Sequence, residues 1–154
     1  MKLEFLAVGN LSRDLIHTEA GYAEKLAGSS FYAALVAARL GARAGIIARA
    51  GADVRREELE ELIEWGVDLS GIVFEGETTC YELFYRGEDR VLRLRREGGV
   101  ITPDQVSRVL EDAEVTLASP IYREIPLKTL EELRRRSSLL CLDPQGYLRT
   151  VSYT

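Results

Sequence analysis

Apolar positions along the chain fall into two kinds of run. One kind is short and continuous. Glu4 to Val8 (EFLAV) ends at the turn pair Gly9-Asn10 and predicts a buried first strand. Ala44 to Ala48 (AGIIA) predicts a second buried strand, ending near Gly51-Ala52-Asp53. The other kind is helical. Phe31 to Leu40 (FYAALVAARL) is rich in strong helix formers, with Ser29 or Ser30 as N-cap and Gly41 as terminating glycine. It is apolar nearly all round, which predicts packing on both sides. Arg55 to Trp65 carries Leu59, Leu62 and Ile63 at helical spacing and stops at Gly66. Strand, helix, strand, helix implies a parallel sheet covered by helices.

The middle of the chain changes period. Leu15 to Thr18 reads as a short strand, and Ile72-Val73-Phe74, Thr78 to Tyr85 and Arg90 to Arg95 are β-rich, broken at Gly76 and Gly87. In Arg90 to Arg95, Val91, Arg93 and Arg95 share one face, and Leu92, Leu94 and Arg96 share the other. This alternation predicts a half-exposed antiparallel sheet with its hairpin connection at Tyr85–Arg90. The tail returns to α/β. Thr102 caps a helix with Pro103 at its first position, running to about Glu111; Val115–Ala118 is a strand, Leu127–Arg136 a helix and Ser138–Leu142 a strand ended by Asp143-Pro144-Gln145-Gly146. The expected fold class is α/β: a layered body over residues 1–154 with a small β-sheet lid from about 15–18 and 71–96.

Composition narrows the function classes. A chain of 154 residues, 46% hydrophobic and 29% charged, is a globular domain of ordinary size. The longest apolar run, Phe31 to Ala38, is far short of the ~20 residues a spanning helix needs. Met1-Lys2-Leu3-Glu4 puts an acid where a secretion signal would turn apolar, so the expected location is cytoplasmic. A net charge of −5 disfavours a nucleic-acid binder. Cys80, Cys141 and the single His17 are too few for a zinc site, and the cysteines read as buried and reduced. Seventeen of 20 basic residues are Arg, which fits either heat adaptation or a codon bias.

Most charged clusters have a bland reading. Glu57, Glu58, Glu60, Glu61 and Glu64 form the wet side of a helix, and Arg134–Arg136 a solvated face. Arg86, Arg90, Arg93 and Arg95 either protect an exposed strand and pair with glutamates or meet an anionic ligand. The Tyr81/Leu83/Tyr85 face reads as packing or a dimer contact. No Gly-Lys dipeptide and no G-x-G-x-x-G occur, so neither nucleotide fingerprint is present.

The informative chemistry is a combination. Asp14 follows just beyond the end of the first parallel strand, where open α/β sheets bind ligands. A carboxylate there accepts hydrogen bonds from two sugar hydroxyls, or caps a turn. Gly28-Ser29-Ser30 leads into a helix whose free N–H groups suit a polar ligand, or is a plain cap.

Taken in order, these pieces resemble the N-terminal half of the PfkB/ribokinase family of carbohydrate kinases. The matching segments are Gly9-Asn10-Leu11-Ser12-Arg13-Asp14, Ala27-Gly28-Ser29-Ser30-Phe31-Tyr32, Arg39-Leu40-Gly41-Ala42, Gly51-Ala52-Asp53, Trp65 to Asp68, Thr78-Thr79-Cys80 and Leu142 to Gly146. The resemblance implies an ATP-dependent kinase acting on a sugar, polyol or nucleoside hydroxyl, with substrate held between the body and the lid, which often also makes a dimer contact. It implies Ser12, Asp14, Gly28, Ser29 and Tyr32 as substrate-binding residues. Two departures lie in that segment: Ala27 replaces the first glycine of a doublet, and Tyr32 the usual asparagine. The implied ATP and Mg sites, and the Gly-Ala-Gly-Asp catalytic segment, fall in a second half that these residues do not contain. The expectation is therefore a chain inactive alone that self-associates. The alternative is a non-catalytic remnant that binds a small polyol or only dimerises.

Overall fold

A computed structural model describes residues 2–109, 112–149 and 152–153. The body is a five-stranded parallel sheet in the order β5-β4-β1-β8-β9. Its strands are β1 (Leu3–Val8), β4 (Ala44–Ala50), β5 (Asp68–Phe74), β8 (Ala113–Ala118) and β9 (Ser137–Leu142). Helix α1 (Ser29–Arg39) and the short α2 (Glu60–Glu64), entered through a 3-10 turn at Arg56–Leu59, cover one face. Phe31, Leu35, Ile46, Leu59 and Leu62 meet there. Helices α3 (Pro103–Val109) and α4 (Leu127–Arg136) cover the other, over Leu6, Val8, Ile47, Ile125 and Leu133. The expected end of α3 at Glu111 lies outside the described residues.

The second sheet has the order β10-β7-β6-β2-β3, with β2 (Ser12–Thr18), β3 (Gly21–Ala27), β6 (Thr79–Arg86), β7 (Asp89–Arg96) and β10 (Ser152–Tyr153). It is mixed rather than antiparallel. The β6–β7 and β2–β3 pairs are antiparallel, whereas β2 joins β6 in parallel. Strand β3 was not expected, because Gly21 to Lys25 is exposed and carries no buried alternation. Ile72-Val73-Phe74 also departs from expectation. It pairs with β4 in the body, so the second sheet takes up the chain only from Thr79.

Two features of α1 differ from the sequence reading. Gly28, not Ser29 or Ser30, occupies the N-cap, and the buried Ser30 hydroxyl instead donates to the Gly9 carbonyl at 2.7 Å. The helix is packed on one side only. Val36 (54% exposed) and Leu40 (84%) face outward, over an apolar groove shared with Phe5, Ala33 and Val115. Thr102 caps α3 as expected, its Oγ1 accepting the Gln105 N–H at 3.2 Å. No helix among the described residues is long and apolar enough to cross a membrane.

Candidate functional site

The C-terminal ends of β1 and β8, the start of α1, and one face of the second sheet enclose a cleft of about 370 Å³, the small end of ligand-pocket sizes. Ser12, Asp14, Gly28, Ser29 and Tyr32 all line it. The sequence-derived candidates, drawn from β2 and α1, are thus brought together.

Asp14 is the lone carboxylate among the lining residues. The Ser12 hydroxyl donates to its Oδ1 at 2.8 Å, which orients the group. Burial raises the Asp14 pKa; the Ser12 hydrogen bond and the charges of Lys25 and Arg149 oppose that rise without cancelling it. Lys25 lies across the strand pair from Asp14, with its ammonium 5.5 Å from the Tyr32 ring centre. Contact with Tyr32 is the main reason its own pKa is raised.

Gly28 is required at the turn from β3 into α1. Its φ is +124°, and an added Cβ would lie 2.7 Å from the Asn10 carbonyl oxygen. With no side chain at the cap, no side-chain hydrogen bond closes the start of α1, and the backbone there borders the cleft.

The opposite wall follows from strand register. Lys25, Asp14, Tyr81 and Leu94 form one row across β3, β2, β6 and β7. Ala23, Ile16, Leu83 and Leu92 form the next, and Tyr85 opposes Arg90 beyond it. Tyr81 is 3% exposed and donates its hydroxyl to the Ile121 carbonyl at 2.8 Å; burial pushes its phenol up to about 12. Arg149 stacks over that ring at 5.2 Å and donates to the same carbonyl at 3.1 Å. Gln145 reaches the cleft because Gly146 packs against the Pro120 carbonyl, 2.2 Å from where a Cβ would stand.

Sequence reading missed Tyr81, Leu83, Leu92, Ile121, Gln145 and Arg149 as lining residues; Arg90 it left open between strand protection and an anionic ligand. The alternation in β7 carried a signal for Leu92 and Arg90, which share a face. No local pattern marks Ile121 or Arg149.

Behind the cleft, the buried Glu124 carboxylate accepts the N–H groups of Asn10, Ile121 and Tyr122 at 2.9, 2.8 and 2.7 Å. The Asn10 side chain bridges the Arg49 N–H and the Gly99 carbonyl. Arg13 points away from the cleft, onto Glu58 at 2.7 Å and Asp53 at 3.1 Å, so Glu58 is not part of a merely wet helix face. Thr78 donates to Asp53 and accepts the Gly51 N–H, anchoring the chain where it enters β6. His17 lies on the far face of the second sheet, stacked on Phe84 with ring centres 4.5 Å apart. Among the described residues no three His, Cys, Asp or Glu side chains gather as a metal site, and the cleft offers only one carboxylate. These residues do not form a set for the magnesium that the family resemblance implies.

No family model and no curated protein matches the chain. Solved structures do. A pyrophosphate-dependent kinase in the ribokinase family, complexed with a pyrophosphate analog and myo-inositol, superposes with a TM-score of 0.76 at 23% identity, covering 95% of this chain and 51% of that one. The fructokinase of Halothermothrix orenii gives 0.73 at 21%, covering 92% and 57%. Arabidopsis thaliana ribokinase, complexed with ribose and ATP, gives 0.65 at 16%, covering 93% and 54%. This chain therefore spans about half the length of the structures it matches, and over that half it has the fold of the ribokinase-family kinases.

Proposed function

We propose that the chain is the acceptor-binding half of a ribokinase-like carbohydrate kinase, holding a sugar, polyol or nucleoside in the cleft between body and second sheet. The observation that carries this reading is the convergence of Ser12, Asp14, Gly28, Ser29 and Tyr32 on one cleft at the C-terminal ends of the parallel strands. One Asp14 oxygen is taken by Ser12, leaving the other to accept an acceptor hydroxyl. Tyr32, Tyr81, Leu83 and Leu92 supply an apolar wall against which a ring lies.

The phosphoryl donor in this reading is ATP with Mg, bound by a part of the fold outside these residues. The Gly-Ala-Gly-Asp segment expected to hold the general base does not occur in the 154 residues. Phosphoryl transfer depends almost wholly on positioning and charge stabilisation at the transferring group. The 154-residue chain alone consequently binds acceptor and transfers nothing, and it self-associates or joins a second polypeptide.

Thermal unfolding of the pure chain against a panel of sugars, polyols and nucleosides tests this. A ligand at 100 times its Kd stabilises by about 2.7 kcal/mol. Stabilisation by at least one such compound, with no ATP-dependent phosphorylation, is the expected result. No response to any of them would remove the acceptor-binding reading. Phosphorylation by the pure chain would overturn its inactivity.

A further inference from the structure

The charge of the cleft runs against the charge of the protein. The molecule carries a net −5, yet the cleft lining holds one carboxylate, Asp14, against two guanidinium groups, Arg90 and Arg149. Lys25 adds a third cation beside Asp14.

Arg90 differs from the other arginines of β7. Arg93 lies over the Phe84 ring at 4.9 Å, Arg95 pairs with Glu82 at 3.6 Å and Arg96 with Glu77 at 3.7 Å. Arg93 and Arg95 are thus held by partners within the second sheet, and Arg96 by the loop that leads into β6. Arg90 has no hydrogen-bond or ion-pair partner among the described residues, and the register sets it on the cleft face, one row beyond Leu92 and opposite Tyr85. Arg149 comes from the other side of the cleft. Among the described residues its guanidinium makes one hydrogen bond, to Ile121, besides its contact with the Tyr81 ring, which leaves most of its five N–H donors unspent. Arg90, a guanidinium with no carboxylate partner among the described residues, matches phosphate geometry in a concave site, and Arg149, whose charge also acts on Asp14, lines the same cleft.

We infer that the acceptor carries a negatively charged group, and that the cleft takes a sugar or polyol monophosphate: hydroxyls on Asp14 and Ser12, carbon skeleton on Tyr81, Leu83 and Leu92, phosphate on Arg90 and Arg149. The inference rests on the reading of the cleft as an acceptor site and adds the substrate class. It separates the two roles of the lining: the carboxylate selects hydroxyl donors, and the arginines select an anion.

Calorimetric titration of the 154-residue chain tests it with matched pairs: fructose and fructose 6-phosphate, ribose and ribose 5-phosphate, myo-inositol and its 1-phosphate. Inorganic phosphate and pyrophosphate serve as bare anions. At least one monophosphate is expected to bind about tenfold or more tighter than its neutral partner and than either bare anion, with an advantage that shrinks as salt rises. Arg90→Gln is expected to cut that advantage about tenfold, and Arg90→Glu to abolish it. Arg90 has no partner to lose, so both variants keep the unliganded melting temperature. Equal binding of a neutral compound and its monophosphate would overturn the anion inference and leave the acceptor reading standing. Bare anions binding as tightly as every monophosphate, with no neutral compound binding, would overturn both. So would no binding by any probe.

Discussion

The Asn10 backbone N–H donates to the Glu124 carboxylate at 2.9 Å across 114 residues of sequence. The same carboxylate holds Ile121 and Tyr122, so one side chain closes the loops that follow β1 and β8. Those loops carry Ser12 and Ile121 into the cleft. Glu124 is 4% exposed, and its removal strands buried donors. Glu124→Ala is expected to cost about 2–3 kcal/mol, a fall of roughly 5–10 °C in melting temperature for a domain this size. Glu124→Gln, which keeps one acceptor oxygen, is expected to cost less. Differential scanning calorimetry of the two variants checks the order.

This contact also marks the limit of sequence reading. Strands β1 and β4 were legible because burial on both sides of a parallel sheet writes continuous apolar runs, and helix α1 because strong helix formers fill Phe31 to Leu40. Ser12 and Asp14 were legible from their place just after the β1 run, and Gly28 and Ser29 from theirs just before the apolar run of α1. Strand β3 was not, because an edge strand with Gly21 to Lys25 exposed has nothing to bury and so no period. The assignment of Ile72–Phe74 to the lid failed for a related reason: β5 is an edge strand of the body, buried only at Gly71 and Ile72, and so lacks the long buried run that marks a central strand. The Glu124 anchor and the Arg149 wall are long-range pairings without local pattern.

Acid should weaken the joint between the two sheets. Arg13 holds the Glu58 carboxyl at about 2, chiefly through their hydrogen bond. Burial works against the Asp53 charge, but the hydrogen bonds from Thr78 and Arg13 outweigh it and lower that pKa as well. A carboxyl depressed in the folded state stabilises the fold at pH values above its ordinary range, and that contribution is lost as pH falls toward the folded value. For Glu58 the window runs from about 4.5 down to about 2. Arg13→Met is expected to cost about 2–3 kcal/mol at neutral pH and to flatten the loss across that window. Urea unfolding of both proteins between pH 2 and pH 7 measures it. An unchanged slope in the variant would show that the joint titrates elsewhere.

Asp14 has the opposite sign. Its pKa is raised by burial, so its ionisation favours the unfolded chain, and stability is lost as pH rises through the folded value. Asp14→Asn keeps an oxygen for the Ser12 hydroxyl and removes the buried charge. It is expected to leave the melting temperature unchanged or raise it, while weakening acceptor binding by about tenfold or more through loss of a charged hydrogen-bond acceptor. Melting curves with and without the best-binding compound separate the two effects. A variant that is destabilised and still binds would contradict this division.

Gly28→Ala tests whether the backbone conformation, rather than the missing side chain alone, shapes the site. At φ +124° a Cβ is strained, and at 2.7 Å from the Asn10 carbonyl it collides with backbone that Glu124 holds in place. The expected cost is about 1–3 kcal/mol with loss of acceptor binding. Ala27→Gly, the neighbouring change, meets neither restriction and is expected to cost under about 1 kcal/mol.

The outer side of α1 makes the last prediction. Val36 and Leu40, with Phe5, Ala33 and Val115, leave an apolar groove in a chain that spans about half the length of its structural neighbours. Contiguous apolar surface of this kind is covered by association. Val36 and Leu40 are 54% and 84% exposed, so charging them leaves the fold intact. Val36→Glu with Leu40→Glu is expected to shift the protein from an assembly to a monomer by light scattering, with the melting temperature measured at low concentration unchanged. A wild-type chain that is already monomeric at high concentration would remove the prediction. An assembly that survives the double variant would move the contact to another face, where the outer row of the second sheet, Tyr22, His17, Phe84 and Val91, is the next apolar surface to charge.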